Sequence, residues 1–270
     1  MTNTVSLPLA ILIFDIDGVI RDVSGSYRKA LADTVEHFTN NEYRPTSEDI
    51  DQLKSEGMWN NDWEASQEFI RRHFGSEEKL QKLNLDYEQI VIFFQSRYRG
   101  TNPDQLTGYI CEEPLLVTSA YFDTLTQAGI SWAFFSGATR TSAKYILEER
   151  LGLNSPILIA MEDAPGKPDP TGLFITIEKM LEKLPLKEID KKTPIIYIGD
   201  TVADMYAIKK AREQQQNRRW ISVGVLPPHV QQDSSSREAY AENLLKAGAA
   251  LILNNVEQLN TRRIQELSGN

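Results

Sequence analysis

The chain has 270 residues, with 29 Lys and Arg against 38 Asp and Glu, for a formal charge of −9. A chain of this length buries roughly 70–75% of the surface it exposes when unfolded, so its core needs neither disulfides nor a structural metal. The lone Cys111 cannot bridge internally and fits a reducing compartment, and the acidic balance excludes a coat for nucleic acid or anionic lipid, both of which need a basic face.

In chain order, the first element is the apolar run 9–14, LAILIF, with no basic residue before it and Asp15 and Asp17 just after it. It is too short to span a bilayer, and without a basic leader region or a small-residue cleavage site it does not read as a secretory signal. A buried strand is the expectation. No later run reaches membrane length, so a soluble cytoplasmic protein is expected. About 110 residues separate this strand from the next apolar run, where a simple crossover needs about a dozen. Within that stretch 26–38, 47–55, 63–74 and 87–98 carry apolar residues at helical spacing, with no convincing strand. The reading is an all-helical domain inserted after the first strand, residues 22–113, leaving 1–21 and 114–270 as a second domain.

Downstream, the apolar runs 132–135, 157–160, 195–198, 220–225 and 249–253 alternate with segments of helical spacing at 139–151, 171–184, 202–215 and 256–267. Runs without polar alternation suit strands covered on both faces, as in a parallel sheet. Their alternation with helices predicts an α/β fold, a doubly wound, Rossmann-like parallel sheet with the helical insertion. The segment 226–237, LPPHVQQDSSSR, is rich in Pro, Ser and Gln and reads as an exposed loop, with His229 solvated in it.

Ligands of an open parallel sheet bind beyond the carboxyl ends of its strands. Three apolar runs end there in polar residues: Asp15 and Asp17 after the first, Ser136 and Gly137 after the second, and Asp200 after IIYIG, with Asp204 four residues on at the start of a helix. Each alone reads as a cap or turn residue. Together, Asp15, Asp17, Asp200 and Asp204 would converge on one crevice, where their mutual repulsion calls for a cation, and hard oxygen ligands favour Mg²⁺. Lys167, in the turn Gly166-Lys167-Pro168, supplies a further positive charge.

IFDIDGVI, FFSGATR, GKPDP and YIGDTVAD resemble, in order, the four motifs of the haloacid dehalogenase-like hydrolases, in the subgroup with a helical cap after the first strand. The resemblance implies a Mg²⁺-dependent phosphatase of small phosphate monoesters, with Asp15 as nucleophile and Asp17 as general acid/base. It further implies that Ser136, the Gly137 backbone and Lys167 bind the transferring phosphate, that Asp15, Asp17 and Asp200 hold the metal, and that Asp204 orients the site. Dehalogenating members lack an acid two residues after the nucleophile, since a halide needs no proton, and Asp17 is present here. Phosphonate-cleaving relatives use a cap lysine, and Lys54 stands near that region. A phosphomutase with the same four acids and a phospho-accepting binding module are the other readings.

Specificity is expected from the helical insertion. Its connector 53–63, LKSEGMWNNDW, is dense in Trp, Asn and charge and resembles the substrate loop of helical caps, which makes Lys54, Trp59, Asn60, Asn61 and Trp63 candidate substrate contacts. The alternative is that Trp59 and Trp63 fill the core of the insertion while Asn60 caps the next helix. Arg21 and Arg140 stand beside motif residues and read equally well as surface ion-pair partners.

Overall fold

The computed structural model describes residues 8–56, 58, 59, 61–75, 86–102, 105–183 and 190–269. The chain divides into two compact units, one formed by Met1–Asp22 with Leu115–Asn270 and the other by Val23–Pro114.

The first unit is built on a six-stranded parallel sheet, β1 (Ile11–Phe14), β2 (Ser131–Phe135), β3 (Leu158–Ile159), β4 (Ile195–Gly199), β5 (Trp220–Val225) and β6 (Leu251–Leu253), in the order β3-β2-β1-β4-β5-β6. Every residue of β1, β4 and β5 is buried, which is why their sequences lack alternation: both faces are covered. On one face Ile11, Ile13, Phe135, Ile159, Ile195 and Tyr197 pack with Leu173, Ile177, Ala207 and Ile208 from two crossover helices. On the other, the Phe14 ring meets Phe122 edge-on at 5.5 Å, and Phe122 lies 5.6 Å from Phe134.

The described part of the second unit carries helices Tyr27–Phe38 (α1), Ser47–Ser55 (α2), Asp62–Phe74 (α3) and Tyr87–Tyr98 (α4) and a 3₁₀ turn at Tyr109–Glu112. Helix α4 buries Ile90, Phe94 and Tyr98, one residue per turn, and Tyr98 stacks on Tyr27 at 4.2 Å. Buried Glu68 is held by Arg71 and Arg72, each at 2.7 Å.

The first unit continues with Ser119–Gln127 (α5), Arg140–Lys144 (α6, running on into a π-turn over Tyr145–Arg150), Thr171–Lys183 (α7), Val202–Gln214 (α8), Ser234–Ala247 (α9) and Thr261–Ser268 (α10). Two expectations are corrected. The stretch 226–237 is not an exposed loop: Leu226 and Val230 are buried against Met205 and Leu244, a 3₁₀ turn spans Pro228–Gln231, and Asp233 caps α9 by accepting from Ser236 N at 2.7 Å. Its polar composition serves turns and a cap around two apolar anchors. The single helix expected over 256–267 is broken, because Asn260 caps α10, accepting from Arg263 N at 3.0 Å. Among the described residues no helix is long and apolar enough to cross a membrane.

Candidate active site

The strand order reverses between β1 and β4, so the crevice of this sheet opens at their carboxyl ends. Phe14 pairs in register with Phe134 and Ile198. Asp15, Ser136 and Asp200, each one residue past its strand, therefore stand at the ends of three neighbouring strands.

Asp15 is 5% exposed. Its Oδ1 accepts from Ile16 N at 2.7 Å, and its Oδ2 lies 2.5 Å from Lys167 Nζ. The ammonium also reaches Asp204 Oδ1 at 2.7 Å and lies 5.5 and 5.6 Å from the ring centres of Phe135 and Tyr197. Lys167 follows the edge strand β3 and precedes a cis peptide bond to Pro168. Asp204 is fully buried and bonded on both oxygens. Oδ2 accepts from Thr201 N at 2.9 Å and Thr201 Oγ1 at 2.7 Å, and Tyr197 Oη donates toward Oδ1 at 3.1 Å. Thr201 and Asp204 thus form a reciprocal cap at the start of α8.

Burial pushes the Asp15 carboxyl up to about 7 despite Lys167, with Asp204 and Asp17 adding to the rise. Burial, then Asp204 and Asp15, raise Asp200 well above the usual carboxylate range. Burial works to raise Asp204 as well, but Lys167 and the Thr201 hydrogen bonds outweigh it and hold Asp204 below its ordinary value. Burial alone would lower Lys167, and the charges of Asp15 and Asp204 overcome it and raise it. At Asp15 and Asp200, then, burial outweighs the pull of Lys167, and at Asp204 it does not.

One oxygen from each of Asp15, Asp200 and Asp204 lies within 4.8 Å of the others, a spacing able to hold a cation. Gly18 makes room for this arrangement. Its φ is +72°, and a Cβ placed there would stand 2.1 Å from Asp200 Oδ2. At Gly199 a Cβ would stand 2.4 Å from the Asp204 side chain, so only glycine lets Asp204 tuck under the strand end. These donors fit Mg²⁺: they are hard oxygens, and the three clustered carboxylates share the ammonium of Lys167. Asp204 spends four hydrogen bonds on Lys167, Tyr197 and Thr201, whereas Asp15 carries one bond on each oxygen, so Asp15 and Asp200 are the residues suited to hold it.

Asp17 differs from its expected place. Its side chain is not part of the acidic cluster; Oδ1 instead accepts from Arg21 Nε at 2.7 Å and lies 2.6 Å from Arg21 Nη2. Arg21 is no surface residue, being 0% exposed. Ser136 is buried at the end of β2, its Oγ accepting from Ala138 N at 3.1 Å, and Gly137 beside it is exposed with open space around it. Arg140 is drawn into contact with Asp163, and its backbone N–H donates to Glu162.

In the helical unit, the connector residues have local partners. Lys54 Nζ lies 2.7 Å from Asp62 Oδ1, Trp59 Nε1 donates to Glu56 Oε2 at 2.9 Å, and Asn61 Oδ1 caps α3 by accepting from Trp63 N at 2.9 Å. Trp63 is half-buried. The capping residue is thus Asn61, and Asn60 lies outside the described residues. Tyr197 and Thr201, which hold Asp204, were not singled out from the sequence. Thr201 is readable as the first member of a T-x-x-D cap, whereas Tyr197 is hidden inside an apolar run and nothing local marks it.

The sequence profile of the haloacid dehalogenase-like hydrolases matches residues 9–212. A protein of Phytophthora nicotianae named imidazoleglycerol-phosphate dehydratase is 28% identical over 255 residues, 93% of this chain and 49% of that protein, so the chain spans about half the length of this curated relative. Among solved structures, a phosphonoacetaldehyde hydrolase-like protein from Oleispira antarctica matches with a TM-score of 0.62 at 17% identity, over 100% of this chain and 96% of that one. Phosphatase Tt82 from Thermococcus thioreducens matches with a TM-score of 0.59 at 20% identity, over 86% and 99%. At such identities the likeness to these structures is one of fold.

Proposed function

The chain belongs to the haloacid dehalogenase-like hydrolases, and we propose that within them it is a Mg²⁺-dependent phosphatase that hydrolyses a small phosphate monoester through an aspartyl-phosphate on Asp15. The observation that carries this reading is the pairing of Asp15 with a buried lysine at 2.5 Å while a second acid, Asp17, stands two residues on outside the acidic cluster. In the first step an Asp15 oxygen attacks phosphorus and the bond to the leaving oxygen breaks, with Asp17 supplying that oxygen's proton. In the second, Asp17 takes a proton from water, the resulting hydroxide attacks phosphorus, and the Asp15–phosphorus bond breaks to release inorganic phosphate. Lys167 offsets charge between carboxylate and phosphate, Ser136 and the Gly137 backbone bind the phosphate oxygens, and Asp204, fixed by Thr201 and Tyr197, holds Lys167 in place. When bound at Asp15 and Asp200, Mg²⁺ supplies the remaining positive charge, favouring ionised Asp15 and screening the incoming phosphate.

Dehalogenation would not use Asp17. Phosphonate cleavage would not use Asp17 either, and Lys54, the lysine it would need, lies in an ion pair with Asp62 at 2.7 Å. A phosphomutase would share every group named, and sustained release of phosphate separates the two. The likeness to a protein named for imidazoleglycerol phosphate supports trying imidazole-bearing monoesters first. The substrate is then a small phosphorylated cytoplasmic metabolite.

The test is multiple-turnover phosphate release with Mg²⁺ over a panel containing histidinol phosphate, phosphoglycolate and sugar phosphates. Asp15→Asn should be nearly inactive, and chelation of Mg²⁺ should stop release. A single stoichiometric burst, or turnover by Asp15→Asn close to wild type, would refute covalent catalysis through Asp15.

A further inference from the structure

Arg21 is the largest fully buried side chain of this protein's described core. A buried guanidinium is costly unless its fork is well bonded, and it is seldom placed by chance. Here the fork closes on Asp17: Nε at 2.7 Å and Nη2 at 2.6 Å, both on Oδ1. Asp17 itself is 28% exposed. The pair therefore joins a rigid, fully enclosed cation to a carboxylate that still reaches solvent.

The backbone explains how residues four apart meet at a strand end. The Ile16 carbonyl accepts from Val19, Ile20 and Arg21 N, at 3.3, 2.8 and 3.2 Å, which winds one tight turn directly after Asp15. Gly18, at φ +72°, reverses the chain so that its N–H donates to Arg21 O at 2.9 Å. Arg21 is then bridged to Leu115, and Leu116 N donates to Ile20 O at 2.8 Å. The arginine thus rises from backbone tied on both sides, and its side chain returns over Asp17.

We propose that Arg21 is a positioning residue for the proposed general acid/base: by holding Oδ1 of Asp17 in a two-pronged grip, it fixes the carboxylate's rotation so that the other oxygen is presented to the leaving group and then to water. This rests on the phosphatase reading above and adds a residue that takes no part in the chemical steps. A freely turning Asp17 would spend most of its time misaligned, and misplacement of a proton-transfer group by about 1 Å costs about a hundredfold in rate. Lysine at position 21 keeps the charge but cannot reproduce the planar fork.

The experiment is a double-mutant cycle with Arg21→Lys, Arg21→Met and Asp17→Asn, using p-nitrophenyl phosphate and phenyl phosphate as probes. In the wild-type background, Arg21→Lys should lower kcat by about 10- to 100-fold with KM changed by less than about threefold. The loss should be larger for phenyl phosphate, whose leaving oxygen needs the proton more. In the Asp17→Asn background the same substitution should change kcat by less than about twofold, because the group it positions is already disabled. The cycle separates the path through Asp17 from any other contact of the guanidinium. Losses equal in both backgrounds, or equal for both probes, would overturn the positioning role. So would unchanged kcat in a folded Arg21→Met protein, and if that variant fails to fold, Arg21→Lys carries the cycle alone. Turnover of either probe that Asp15→Asn abolishes upholds the phosphatase reading independently of Arg21. No turnover in the wild type overturns both.

Discussion

Replacing Asp15 by Asn should make the metal-free protein more stable at alkaline pH, although it removes the proposed nucleophile. The ordinary value of an aspartate is 3.8, and burial lifts Asp15 to about 7 even with Lys167 beside it. That distance corresponds to about 4 kcal/mol. A carboxyl raised in the folded state binds its proton more tightly there than in the unfolded chain, so its contribution to stability falls as pH rises from about 4 to about 7 and stays low above that. Asn mimics the protonated form and carries no such cost. At pH 8 with chelator, Asp15→Asn should therefore gain about 2–4 kcal/mol, roughly 5–10 °C in Tm for a protein of this size. By pH 5 wild-type Asp15 is protonated in the folded state, and the gap should narrow by about 2–3 kcal/mol. Saturating Mg²⁺ should raise the wild-type midpoint and leave the variant nearly unmoved. Denaturant and thermal melts at pH 5, 6.5 and 8, each with and without metal, make the comparison. A gap that is independent of pH, or one that widens on acidification, would refute the account of Asp15 as a carboxylate held against its own desolvation.

Lys167→Met should abolish most phosphate release, by at least about a hundredfold in kcat, since the buried ammonium is the only cation within bonding distance of Asp15 and Asp204 among the described residues; phosphate-release assays on folded protein check this. Gly18→Ala should weaken Mg²⁺ stabilisation as well as cost about 1–3 kcal/mol, because the new methyl meets Asp200 Oδ2 and the backbone is held at positive φ, and a Mg²⁺ titration of Tm is the readout. Asn61→Ala removes the cap of α3 and should lower stability by about 1 kcal/mol; equal changes in kcat/KM for the physiological monoester and for an aryl phosphate would assign Asn61 to the helix, and a selective loss on the former would restore it to specificity.

The sequence alone determined the sheet and which polar residues end its strands. Strands such as 195–198 lack alternation because both faces are covered, and the polar residues that end such runs, Asp15, Ser136 and Asp200, must then gather at the strand ends. Helices with clear apolar spacing, such as the one expected over 202–215 and found as α8, were equally legible. Other features depended on groups distant in the chain. Nothing near Tyr197 shows that its hydroxyl will meet Asp204, or that Phe135 and Tyr197 will flank Lys167, because those contacts arise only when β2 and β4 are set on either side of β1. Composition misled at 226–237, where Leu226 and Val230 find apolar partners in α8 and α9 that no local pattern announces. Arg21 is the clearest case. A charged side chain in a polar turn reads as solvated, and only the reversal at Gly18 together with the bridge to Leu115, ninety-four residues away, buries it and turns its guanidinium onto Asp17.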